Sequence, residues 1–226
     1  MMQERMDIFF EVLVNAPEND IDRLEEEAIK MKEPVISRPV RNLLRYLLKT
    51  KRPESVLEIG TAIGYSALFM IDCLGENSEI TTIEKVPARI IKARANFERY
   101  GKCDQIRLMD GDAADILPEL AAAGKHYDFV FMDAAKGQYI NFLPYIMQML
   151  NPDGILLSDN ILHGGDVLES RFAIKRRDRT IHSRMRQYLK NITSHPDLET
   201  ICLPVGDGVA LSTKIINRGT AEENSR

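Results

Sequence analysis

From Ser55 onward the chain repeats one pattern, a short apolar run followed by a stretch with helical spacing, and this alternation restricts the fold more than anything else in it. The runs at 55–59, 80–84, 105–109, 129–132 and 155–158 are short and rich in β-branched or aromatic residues, and so read as strands. The intervening stretches at 65–74, 87–100, 113–123, 139–150 and, after a long connection, 179–192 read as helices. Strands and helices alternating in this way predict a parallel sheet with right-handed crossovers and helices on both faces. Two closing strands, 199–203 and 208–214, complete a doubly wound α/β fold with a seven-stranded, mostly parallel sheet.

The first fifty residues read as added helices. Asp20 is placed to cap an amphipathic stretch over 21–32 that Pro34 ends, and a second helix starts at Ser37 with Pro39 in its first turn. In that helix Arg41, Arg45 and Lys49 fall on one face, with Leu43, Leu44, Leu47 and Leu48 turned to the core. With 226 residues, 44% of them hydrophobic, and with neither a linker nor a repeat, the expectation is one domain over 1–226, with 1–50 packed on the sheet and a frayed polar tail at 217–226.

No apolar run approaches the roughly eighteen residues of a membrane helix, and Met1 to Arg5 lead into mixed polar sequence rather than a secretion signal, so a cytoplasmic protein without a membrane partner is expected. The cysteines, Cys73, Cys103 and Cys202, are scattered; they suggest neither disulfides nor a zinc site and are expected to be small buried hydrophobes.

Open parallel sheets bind ligands beyond the carboxyl ends of their strands. The segment Val56-Leu57-Glu58-Ile59-Gly60-Thr61-Ala62-Ile63-Gly64-Tyr65-Ser66 ends the first strand and opens a helix, with glycines that permit a tight turn and close backbone approach to a ligand. It lacks the G-x-G-x-x-G spacing, and the Glu58 carboxylate before its first glycine suits a cationic ligand better than a pyrophosphate. The segment resembles the cofactor loop of class I S-adenosylmethionine-dependent methyltransferases, a Rossmann-like family. The resemblance implies that Glu58, Gly60, Thr61 and Ser66 line the methionine part of the cofactor, that Glu84 accepts hydrogen bonds from the ribose hydroxyls, that Gly111, Asp112 and Ala113 form the adenine turn, and that Ile36 and Asp133 also border the cofactor. Glu84 also fits a solvated strand end, and Asp112 equally fits the N-cap of the next helix.

Asp133 ends the fourth strand, and Asp159 and Asn160 end the fifth, which places three oxygen-bearing side chains by one crevice. Such a set suits a hard cation: magnesium takes about six oxygens, so three protein ligands leave room for substrate and water. Asp133-x-x-Lys136 followed by Asp159-Asn160 is similar to the catechol and caffeoyl-coenzyme A O-methyltransferases over roughly 34–214. That resemblance implies magnesium, or manganese, held by Asp133, Asp159 and Asn160, with Lys136 beside the acceptor hydroxyl, and Lys136 and Asp133 as the catalytic residues. It also implies a homodimer.

Charge is segregated. Residues 171–190 hold eight Lys or Arg against one Asp, a net +7, so within a total of −4 the rest of the chain carries −11. A basic run following the metal residues suggests a polyanionic acceptor contacted by Arg171, Lys175, Arg176, Arg177 and Arg179, with Arg41, Arg45 and Lys49 extending the surface. This stretch resembles the bacterial branch that methylates 5-hydroxyuridine at the wobble position, U34, of transfer RNA, and so implies the anticodon loop as partner. The 5-hydroxyl and 4-carbonyl oxygens of that base can chelate a cation as a catechol does; a small catechol or caffeoyl-coenzyme A acceptor is the alternative. Phe172 fits either base stacking or loop packing, and His163 and His182 read as surface histidines.

Overall fold

The computed structural model describes residues 20–215 together with Arg5, Phe9 and Leu13, and not the Asp20 side chain, so the expected Asp20 cap and the frayed tail at 217–226 lie outside what is described. Helices α1 (Asp20–Lys30) and α2 (Arg38–Lys51) precede strand β1 (Ser55–Ile59), α3 (Tyr65–Cys73), β2 (Glu79–Glu84), α4 (Pro87–Arg99), β3 (Ile106–Asp110), α5 (Ala113–Ala122) and β4 (Tyr127–Met132). Then come α6 (Tyr139–Met149), β5 (Leu150–Ser158), α7 (Arg179–Thr193), β6 (Leu198–Leu203) and β7 (Val209–Lys214). Two 3-10 turns, Lys136–Gln138 and Asp166–Leu168, lie in connections the sequence pattern left unassigned. Among the described residues no helix is long and apolar enough to cross a membrane.

The seven strands order as β3-β2-β1-β4-β5-β7-β6. The first five are parallel, as the alternation predicts, and β7 is antiparallel to both β5 and β6. Strand order reverses between β1 and β4, and a ligand crevice is expected beyond their carboxyl ends.

Side chains of β4 show why both faces are covered. Phe129 and Phe131 join the buried cluster formed with Leu24, Leu44, Phe69 and Phe97 of α1 to α4, whereas Val130 and Met132 join the one formed with Leu117, Ile146 and Tyr188 of α5, α6 and α7. Cutting either phenylalanine to alanine would cost about 3–5 kcal/mol.

Details of the N-terminal helices depart from expectation. Leu43 is only partly buried and Val40 takes a core position instead. Arg41 is not on a charged outer face: one guanidinium nitrogen donates to Asp22 at 2.9 Å, Glu25 at 2.7 Å and the Tyr65 hydroxyl at 3.2 Å, and so fastens α1 and α2 to the start of α3. Arg45 lies over the Phe69 ring. Cys73 is buried as expected, but Cys103, in the turn between α4 and β3, and Cys202, on β6, are exposed.

Candidate active site

A cleft of about 390 Å³ opens beyond β1, β2 and β3, where the β1–α3 loop passes over the end of β4. Gly60 makes that passage possible: its φ is +99°, and a Cβ added there would lie 2.3 Å from the Asp133 carbonyl oxygen. Glu84 holds the loop from the other side. One of its carboxylate oxygens accepts from Ala62 N at 3.0 Å, and the other accepts from Lys85 N at 2.8 Å and Val86 N at 2.9 Å. A carboxylate has about four acceptor positions, so Glu84 has room for about one more bond, fewer than a pair of ribose hydroxyls would bring.

Ile36, Gly60, Thr61, Ser66, Glu84, Gly111, Asp112, Ala113 and Asp133 all line the cleft. Asp112 also caps α5, accepting from Ala114 N at 3.0 Å, and pairs with Lys85 at 3.0 Å; these contacts hold its carboxyl below the usual range. Glu58 differs from expectation, because its side chain is fully buried and lies beneath the cleft rather than in its wall. Burial pushes its carboxyl up to about 7 against the pull of nearby hydroxyls, Ser66 first among them. Thr82 donates to one Glu58 oxygen, while the other oxygen and the Thr61 hydroxyl have no hydrogen-bond partner. Buried polar atoms left unpaired are costly, and Thr61 is a residue of the cleft lining. Pro34, Val35 and Phe142 also line it; no motif marked them, because their place depends on how the α1–α2 connection and α6 pack.

The residues expected to hold a cation come together beside this cleft. One Asp133 oxygen accepts from Lys136 Nζ at 2.7 Å and from the Asn160 side-chain amide at 3.2 Å, and Asp159 accepts from the Asn160 backbone N–H at 2.7 Å. Asp159 is buried; desolvation first, then the charge on Asp133, push its carboxyl up to about 7. Two crowded carboxylates with one amide form a donor set that a hard cation would relieve. Among the described residues no three His, Cys, Asp or Glu side chains cluster at metal-binding spacing, so the set depends on the amide of Asn160.

Comparison with known proteins fits this arrangement. The O-methyltransferase family profile matches residues 17–215. The chain belongs to the O-methyltransferase family. It is 32% identical over 127 residues to a catechol O-methyltransferase of Niastella koreensis, an alignment covering 56% of this chain and 58% of that one. It is 28% identical over 191 residues to a catechol O-methyltransferase of Mycobacterium tuberculosis, covering 82% and 83%. The crystal structure of a putative caffeoyl-CoA O-methyltransferase from Staphylococcus aureus superposes with a TM-score of 0.83 at 28% identity, over 95% of this chain and 100% of that one.

In this O-methyltransferase one residue central to the site carried no sequence signal beyond its place three residues after Lys136. The buried Tyr139 hydroxyl lies 3.0 Å from Lys136 Nζ, 3.3 Å from Ala134 N and 3.0 Å from the carbonyl oxygens of both Met132 and Asp159. It therefore ties the ends of β4 and β5 to the lysine. Tyr188 packs edge-on against its ring.

The basic segment borders the same turn, since Arg184 donates to the Gly137 carbonyl at 3.2 Å. Arg171, Lys175, Arg176 and Arg177 are exposed, Arg177 next to Asp178, and Phe172 is 89% exposed. Arg179 departs from the expected surface role: it is partly buried and donates to the Ile174 and Phe172 carbonyls, folding the loop. His182 is buried rather than on the surface, with a ring nitrogen 3.1 Å from the Glu169 carbonyl. His163 is half-buried in the turn after Asn160.

Proposed function

We propose that this chain transfers a methyl group from S-adenosylmethionine to a hydroxyl whose neighbouring oxygen allows the acceptor to chelate a divalent cation, magnesium or manganese. The observation that carries this reading is Asp133, which borders the cofactor cleft, accepts hydrogen bonds from Lys136 and Asn160, and lies near enough to Asp159 for its charge to act on that carboxyl. Donor and acceptor sites thus share one residue, as direct transfer between bound reactants requires.

Asp133, Asp159 and Asn160 would hold the cation. When bound it lowers the pKa of an attached hydroxyl and fixes its position. The chain's own contribution lies around this. The cleft, lined by Thr61 and Glu84 among others, receives the donor. Lys136, steered by Asp133 and Tyr139, places an ammonium group against the acceptor oxygen as it becomes anionic.

The similarity to catechol and caffeoyl-CoA O-methyltransferases supports a small phenolic acceptor with adjacent oxygens. A second acceptor, 5-hydroxyuridine at the wobble position of transfer RNA, is favoured by a separate observation: the exposed Arg171, Lys175, Arg176 and Arg177 on a segment bound to the Lys136 turn. Methyl transfer from labelled S-adenosylmethionine, with magnesium or with chelator, to a catechol and to transfer RNA bearing 5-hydroxyuridine tests both. Metal-dependent labelling of the catechol supports the first reading. Labelling of RNA alone, lost at raised salt and in the double variant Arg176→Ala/Arg177→Ala, supports the second. Transfer undiminished by exhaustive chelation refutes the metal-assisted chemistry.

A further inference from the structure

The turn carrying Asn160 passes twice through the left-handed region. Asn160 and His163 adopt φ values of +54° and +51°, which few side-chain-bearing residues adopt, although Asn and His do so more readily than most. Two glycines follow, Gly164 at φ +66° and Gly165 at φ +92°, and supply no side chain to order the turn.

The restraint comes from the far end of the chain, the β6–β7 connection. Ile161 N donates to the Gly208 carbonyl and Leu162 N to the Asp207 carbonyl, each at 3.0 Å, and Gly164 N donates to the Asp207 carboxylate at 2.8 Å. Gly208, at φ +78°, allows this approach, since a Cβ there would lie 2.6 Å from Leu162 Cγ. Asp207 thus grips the turn with both main chain and side chain. The main-chain bonds fix residues 161 and 162, the turn's own bond from Gly165 N to the Leu162 carbonyl closes it at 3.0 Å, and the Asp207 carboxylate is the contact from the β6–β7 connection that reaches past His163 to Gly164.

We propose that Asp207 is a positioning residue for the cation site: by holding the Gly164 N–H it fixes the 160–164 turn so that Asn160 faces Asp133 and Asp159. This rests on the reading of Asp133, Asp159 and Asn160 as cation ligands, which the test probes separately. Groups that orient ligands from outside the coordination shell typically change metal affinity about 10- to 100-fold.

The experiment is a titration of the full chain with Mn2+, free ion followed by electron paramagnetic resonance, with no acceptor present. Asp207→Ala is expected to weaken Mn2+ binding about 10- to 100-fold and to speed exchange of the Gly164 amide hydrogen, with the thermal transition still cooperative. Asp207→Asn, which keeps an oxygen facing Gly164, restores most of the affinity. Asn160→Ala serves as the control for the ligand reading: if it binds Mn2+ as tightly as the parent, that reading fails whatever Asp207 does. If Asn160→Ala loses affinity and Asp207→Ala does not, the ligand reading stands and the role of Asp207 is overturned. Equal losses in Asp207→Ala and Asp207→Asn would also overturn it, because charge rather than the hydrogen bond would then be what matters.

Discussion

Replacing Gly60 with alanine tests whether the cofactor loop and the Lys136 side of the site form one rigid unit. The new Cβ would start 2.3 Å from the Asp133 carbonyl oxygen, backbone against backbone, with no flexible side chain to give way. Carbon and oxygen settle at about 3.3 Å or more, so the loop or the end of β4 must move by about 1 Å. The left-handed φ adds about 1–2 kcal/mol. For a chain of this size each kcal/mol lowers Tm by about 2–4 °C, so a modest loss of thermal stability is expected beside a large functional one. A 1 Å misplacement near reacting atoms costs about 100-fold in rate. Gly101→Ala is the control, since Gly101 also has a left-handed φ, +63°, but nothing within 4 Å of its added Cβ. Calorimetric titration with S-adenosylhomocysteine and single-turnover methylation should show Gly60→Ala losing affinity and rate while Gly101→Ala loses only stability. If both variants bind cofactor equally well, the close contact between loop and strand is not what shapes the cleft.

Two further predictions concern buried polar groups. Tyr139→Phe leaves the Met132 and Asp159 carbonyls and the Ala134 N–H without their shared partner, at a cost of about 1–3 kcal/mol. Its kcat should fall about 10- to 100-fold with cofactor affinity retained; an unchanged kcat in steady-state assays would show that Lys136 does not need the tyrosine. Glu58, at about 7 in the folded chain against an ordinary 4.5, binds its proton more tightly folded than unfolded. Its contribution to stability is therefore full below about pH 4.5 and lost as pH rises through about 7, a difference of up to roughly 3 kcal/mol. Urea denaturation without cofactor should find Glu58→Gln lacking this fall and gaining on the parent above neutrality; parallel pH profiles would contradict the burial argument.

Much of the fold was legible because the signals that determine it are local. Period-two and period-3.6 spacing, together with the alternation of elements, lead to a parallel sheet whichever helices end up adjacent. Strand limits were less legible: β5 starts at Leu150, within the expected helix, because pairing of Tyr127 with Leu150 extends the ladder over a polar stretch with no strand pattern of its own. The residues proposed to hold a cation could be found because all of them stand at strand ends, where the sheet brings them together. The basic run was legible as charge, but its internal division was not. Arg179 and Arg41 read as surface cations, and only packing revealed that they bond to the carbonyls and carboxylates that tie segments together.

The amino-acid order by itself determined the layers, the crevice and the residue types that face it, since each depends on neighbours a few positions apart. The tertiary structure alone decided that Glu58 lies beneath the cleft, that Tyr139 joins two strand ends to Lys136, and that Asp207 reaches Gly164 across more than forty residues of chain. Those contacts arise where distant segments meet in space, and no local pattern of polarity or spacing records which distant partner a side chain will find.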